Sequence, residues 1–103
     1  MNTPVTRVIE ICNEQGLHAR PATIFVKKAQ SFSSRIIVVR GSERIDAKNI
    51  LDVLTLAAGR GTQLVLEAEG DDAESAITAL AELVESGFPI EEADNKPKQA
   101  EGS

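Results

Sequence analysis

The 103-residue chain has no tryptophan and no tyrosine, and it carries only three phenylalanines, one methionine, one cysteine and one histidine. Each scarcity excludes something. Aromatic platforms on which nucleic-acid bases could stack are nearly missing, and a formal net charge of −5 has the wrong sign for a phosphate backbone. Cys12 has no second cysteine for an internal disulfide, and one cysteine with one histidine cannot form a zinc site of the usual spacing. No stretch approaches the ~18 apolar residues of a membrane span, and no early apolar run resembles a secretory signal. The expectation is a soluble protein of a reducing compartment, the cytoplasm if the source is bacterial. No nucleic-acid partner, membrane insertion, metal or cofactor is expected.

What is present suits one small domain. Hydrophobic residues make up 42% of the chain, nearly all of them Ala, Val, Ile and Leu. The acidity is partly terminal. Residues 91–103, "EEADNKPKQAEGS", hold Glu91, Glu92, Asp94 and Glu101 against Lys96 and Lys98, which leaves 12 acids and 9 bases in residues 1–90. That last stretch has almost nothing to bury, so a disordered acidic tail over 91–103 is expected behind a domain spanning 1–90.

Periodicity divides the domain into alternating elements. "VTRVIEIC" (5–12) alternates as a strand, with Val5, Ile9 and Ile11 on one face. After "NEQG" (13–16) the period changes, and from Pro21 onward Ala22, Phe25, Val26, Ala29 and Phe32 follow the spacing of an amphipathic helix. "SRIIVVR" (34–40) and "ERIDA" (43–47) read as strands joined by the two-residue turn Gly41-Ser42. "NILDVLTLAAG" (49–59) places apolar residues at 50, 53, 54 and 57, as a short helix would. "TQLVLEAEG" (62–70) is a fourth strand. "DDAESAITALAELVESG" (71–87) is a helix with an Asp cap, an apolar stripe and Gly87 as its C′ residue. The order β-α-β-β-α-β-α, with one apolar face per strand, predicts an α+β fold: a four-stranded, mainly antiparallel sheet with its helices on one face.

The lone histidine lies where the period changes, in "GLHARPA" (16–22). Pro21 fits a first helical turn, which puts His18 at or near the N-cap. Helix N–H groups there lack partners and the macrodipole favours negative charge, so a phosphate on that imidazole would meet donors without a metal. Arg20 adds a guanidinium able to hold phosphate oxygens. A neutral imidazole is a nucleophile near neutral pH, yet no serine, cysteine or second histidine completes a hydrolytic triad. The chemistry suits accepting and passing on a group rather than unaided turnover, so the chain reads as a stoichiometric carrier, not a free-standing enzyme.

"GLHARPATIFVKKAQSF", "AKNILDVLTLAAGRGTQLVLEAEGDD" and "ELVESGF" resemble the HPr family, the histidine phosphocarriers of the bacterial phosphotransferase system, over residues 5 to 88. The resemblance implies an open-faced β-sandwich with sheet order 1-4-2-3. It implies that enzyme I, charged by phosphoenolpyruvate, phosphorylates Nδ1 of His18, and that the phosphoryl group then passes to a IIA component of a sugar permease. Arg20 matches the family's phosphate-side arginine.

Ile24, off the first helix's stripe, and Leu51, off that of the short helix, suggest an apolar docking patch. The resemblance places Thr23, Leu51 and Leu54 on the face that meets enzyme I and IIA domains, and Lys27 and Lys48 could face acidic rims. Asn49 stands where many regulated relatives carry a phosphorylatable serine. Asn is a strong N-cap, and Asp52 three residues on can complement the helix start, so the cap is kept and the hydroxyl is lost. A monomer is expected. The alternatives are a nitrogen-related paralogue (NPr-like) and a regulatory module that acts by docking alone.

Overall fold

The computed structural model describes residues 3–88. The tail expected over 91–103, and the end of the domain expected to reach residue 90, lie outside the described residues. Seven elements follow the predicted order: β1 (Val5–Glu10), α1 (Ala19–Gln30), β2 (Arg35–Arg40), β3 (Glu43–Asp46), α2 (Ile50–Thr55), β4 (Gln63–Glu69) and α3 (Ala73–Glu85). Each strand is one to two residues shorter than its alternation suggests, as expected at frayed ends. The first helix starts two residues before Pro21, and the other two are trimmed at both ends.

The four strands form one antiparallel sheet in the order β1-β4-β2-β3. Register decides which residues share a face. Ile9 faces Leu64 and Val5 faces Ala68 across β1 and β4, while Ile36 faces Ala68 and Val38 faces Leu66 across β2 and β4. All of these except the half-buried Val5 are buried beneath the helices. The alternate rows, Val8–Val65–Val39 and Thr6–Glu67–Ile37, form the uncovered face. A one-residue slip would exchange the two faces. Burying each large aliphatic contributes about 1.5–3 kcal/mol, which pins the register.

Local chemistry sets the connections. Gly41, with φ +61°, opens the β2–β3 hairpin. Helix α3 buries the predicted stripe of Ala73, Ala76, Ile77, Leu80, Leu83 and Val84. It ends with Gly87 at φ +78°, where Gly87 N–H donates to Val84 O and Phe88 N–H to Leu83 O, each at 3.1 Å. That pair of bonds is a Schellman motif, and it drives Phe88 fully into the core.

Two expectations are corrected here. The Asp72 side chain makes no cap bond to its own helix. Instead it reaches the α1–β2 loop, where its carboxylate accepts from Ser33 N–H and Ser34 N–H at 2.9 Å and from the Ser34 hydroxyl. Ala57, expected on the buried stripe of α2, is exposed with φ +49°. Helix α2 stops at Thr55, so position 57 leaves the helical path, and Leu56 and Ala58 go into the core.

Candidate functional site

The site is built by the loop that carries the chain from β1 into α1. Past β1 the backbone stays beside β4's approach: Ile11 N–H donates to Thr62 O at 2.9 Å and Gly61 N–H to Ile11 O at 2.8 Å. Asn13–Gly16 then turns, closed by Gly16 N–H to Asn13 O at 3.1 Å. Leu17 plunges into the core and its N–H donates to Ala58 O at 2.9 Å. With Leu17 anchored inward, His18 emerges exposed as the N-cap of α1.

His18 has extended backbone (φ −89°, ψ −168°), and its carbonyl accepts the first helical bond, from Ala22 N–H at 2.9 Å. A Ser or Asp at this position would spend its side chain on the helix. The imidazole makes no such cap bond, which leaves the ring outside the helix's own bonding. Pro21 is the third helical residue and contributes no N–H, so Ala19 and Arg20 bear the leading backbone donors. The first turn contains no acidic residue, and nothing on it offsets the roughly half positive charge of the helix end. Arg20, also exposed, adds its cation to the same turn. Position, charge and exposure together favour a dianionic group on the imidazole.

The other singled-out residues divide by position. Gln30 Nε2 donates to Lys48 O at 3.0 Å, tying the end of α1 to the start of α2, while Leu17 ties the start of α1 to Ala58 beyond the end of α2. The two helices therefore run antiparallel. Lys48 and Asn49 lie at the far end of α1 from His18, about 18 Å for a 12-residue helix. The Lys48 ammonium donates to Phe32 O at 2.7 Å, so it braces the fold. Asn49 caps α2 as expected, accepting from Asp52 N–H at 3.1 Å. The Asp52 carboxylate accepts from Asp46 N–H instead of returning to the cap residue.

Leu51 is 70% exposed and Leu54 half-buried on α2. Ile24, expected to point away from the core, is half-buried and packs against it. It follows Thr23, whose hydroxyl donates back to Ala19 O at 2.8 Å. Lys27 is exposed in the last turn of α1. Asn13 and Ala58 grip the loop and differ in how far the sequence signals them. Asn at the first position of "NEQG" is a turn signal, whereas the Ala58 contact arises only from tertiary packing.

An open 1-4-2-3 sandwich that presents a histidine at the head of its first helix belongs to a class whose work is carrying a phosphoryl group between other proteins. Comparison with known proteins makes the class specific: this chain belongs to the HPr family of phosphotransferase-system phosphocarriers. The family model described as "PTS HPr component phosphorylation site" matches residues 5–86. The phosphocarrier protein HPr of Treponema pallidum is 39% identical over 87 residues, covering 84% of this chain and 99% of that protein. The phosphocarrier protein NPr of Shewanella violacea is 37% identical over 86 residues, covering 84% and 94%. Among solved structures, HPr from Thermoanaerobacter tengcongensis superposes with a TM-score of 0.79 at 46% identity, covering 82% of this chain and 94% of that one. Among the described residues, no helix is long and apolar enough to cross a membrane.

Proposed function

We propose that His18 is the phosphoryl acceptor, charged by the phosphorylated enzyme I of a phosphoenolpyruvate-dependent phosphotransferase chain and discharged to a IIA component of a sugar permease in the cytoplasm. The observation that carries the reading is the exposed, uncapped imidazole of His18 at the head of a helix whose first turn holds no acid. A lone pair of the neutral ring, on Nδ1 by resemblance, forms the new N–P bond as the donor's bond to phosphorus breaks and its electron pair returns to the donor. Discharge repeats the exchange in the opposite sense, and no water is consumed. Backbone donors at the helix head and Arg20 hold the phosphate oxygens by charge-assisted bonds. These contacts stabilise the phosphoryl group without bonding to phosphorus, so it stays transferable.

Thr23, Ile24, Lys27, Leu51 and Leu54 supply the docking face in this reading, with Lys48 at its edge. Asn49 leaves no hydroxyl for a regulatory kinase. In this reading the chain acts as a monomer. Enzyme I, phosphoenolpyruvate and a sugar-type IIA, reconstituted with the chain, should move phosphate to the IIA; the reading is falsified if His18→Ala relays it as well as the wild type.

A second reading, the nitrogen-related branch, is supported by the match to NPr, which covers 84% of this chain, the same share as the match to HPr. Offering sugar-type and nitrogen-type IIA proteins in competition separates the two by which one is charged first.

A further inference from the structure

We infer that Asn13 is a positioning residue for phosphoryl transfer, an inference that rests on His18 being the acceptor. Its basis is the single peptide unit joining Gly16 to Leu17. The N–H of that unit, on Leu17, donates to Ala58 O at 2.9 Å. Its carbonyl, on Gly16, accepts from Asn13 Nδ2 at 2.7 Å. The same carbonyl accepts the backbone N–H of His18 at 3.0 Å. The Asn13 carboxamide and Ala58 therefore hold opposite ends of one peptide plane, and the acceptor residue hangs from that plane by its own N–H.

At Gly16 the loop leaves no room for a side chain. Gly16 adopts φ +73°, and a Cβ built there would lie 2.4 Å from Ala58 O, so backbone meets backbone with no side chain between them. The remaining freedom is rotation of the peptide plane about its ends, a motion open to glycine more than to other residues. Asn13 Nδ2 opposes that rotation from the carbonyl side, as Ala58 O does from the N–H side.

The rest of the carboxamide indicates that this bond is its purpose. Asn13 Oδ1 is buried and has no hydrogen-bond partner among the described residues. Buried polar atoms without partners are uncommon and costly. An apolar side chain filling the same space would avoid the cost, so the residue is explained by what its nitrogen holds. If the donor is lost, the Gly16–Leu17 plane keeps only the Leu17 N–H bond to Ala58 O, and the His18 backbone is held less firmly. The ring is then presented off the line of attack. Docking, which depends on the faces of α1 and α2, is left alone.

The test is steady-state phosphoryl transfer from phosphorylated enzyme I to full-length wild type, Asn13→Asp and Asn13→Ala, with circular dichroism to establish that each is folded at the assay temperature. Asn13→Asp keeps the shape and replaces the donor with an acceptor facing Gly16 O. The expected result is a fall in kcat of about tenfold or more, with KM for the chain unchanged within about twofold, because a small misplacement of a reacting group is costly while binding is not. Wild-type kcat in folded variants, or a rise in KM alone, would overturn the inference.

Amide hydrogen exchange on the wild type keeps the test open if both variants unfold. The His18 N–H should be protected although the residue is exposed, and exchange at the rate of a free loop amide refutes the positioning. The wild-type control separates the two claims. A charged wild type matched by Asn13→Asp defeats only the role of Asn13, whereas a wild type that takes no phosphate on His18 defeats both.

Discussion

Ala57 holds a left-handed backbone, φ +49°, while its N–H closes the last turn of α2 on Leu54 O at 3.1 Å. That conformation costs a non-glycine residue roughly 1 kcal/mol, and the exposed methyl group gains little in return. Ala57→Gly removes the strain and adds some unfolded-chain freedom, for a net stabilisation of up to about 1 kcal/mol. A raised urea midpoint is the expected result, and a lowered one contradicts it. Asp72 shows the opposite economy, a charged group whose bonds the fold requires. The Ser34 hydroxyl, then the Ser33 amide, bond to its carboxylate and pull its pKa down to about 2. A depressed folded pKa means stability that is fully present above the ordinary carboxylate pKa of about 4 and lost as pH falls through the folded value. Acid titration of wild type and Asp72→Asn should therefore show wild type more stable at pH 6, with the gap closing between about pH 4 and 2. A gap that stays constant through that window would show that the carboxylate charge is not what holds the α1–β2 loop.

At the scale of the element, with His18 as the proposed acceptor, the head of α1 would serve two ends that pull against each other. A negative residue in its first turn would improve the helix and spoil the acceptor. Ala19→Glu, at an exposed first-turn position, should raise stability by about 0.3–1 kcal/mol through the macrodipole. The same charge should weaken retention of a phosphoryl group on His18 by repulsion. Thermal melts and the phosphorylated fraction at equilibrium with enzyme I check the two directions together. If both change in the same sense, the electrostatic account of the site is wrong.

Elements were also the scale at which the sequence was most readable. Val5/Ile9, Leu64/Leu66/Ala68 and the α3 stripe repeat at periods of 2 and 3.6, and those periods alone order the layers. His18 was legible as a cap because Pro21 and the change of period bracket it. What escaped were partners chosen by tertiary packing. The Asp72 carboxylate bonds 38 residues away, the Lys48 ammonium turns inward to Phe32 O, and Ile24 leans onto the core. Nothing within one turn of these residues signals where their side chains go, since caps and charges look the same in sequence whether spent locally or across the fold.

The whole molecule has two unlike surfaces. The helical side bears His18, Arg20 and the exposed Leu51, while the uncovered sheet face bears Val8, itself 61% exposed. Exposed aliphatics of similar prominence on both sides make a matched control possible. Leu51→Glu should raise KM for transfer by about tenfold, the loss of roughly 1.4 kcal/mol of apolar contact, with little change in melting temperature because the side chain is already in solvent. Val8→Thr on the sheet face should leave transfer unchanged. An effect of Val8→Thr equal to that of Leu51→Glu would move the docking surface to the wrong side. The central claim is that one ring, His18, carries the phosphate, and ³¹P–¹⁵N correlation NMR tests it most directly. After incubation with enzyme I and phosphoenolpyruvate, wild type should show a single phosphorus coupled to an imidazole nitrogen. That signal should be stable in base, lost in acid and missing from His18→Ala. A phosphorus bonded to any other residue, or a signal that survives His18→Ala, would contradict the account.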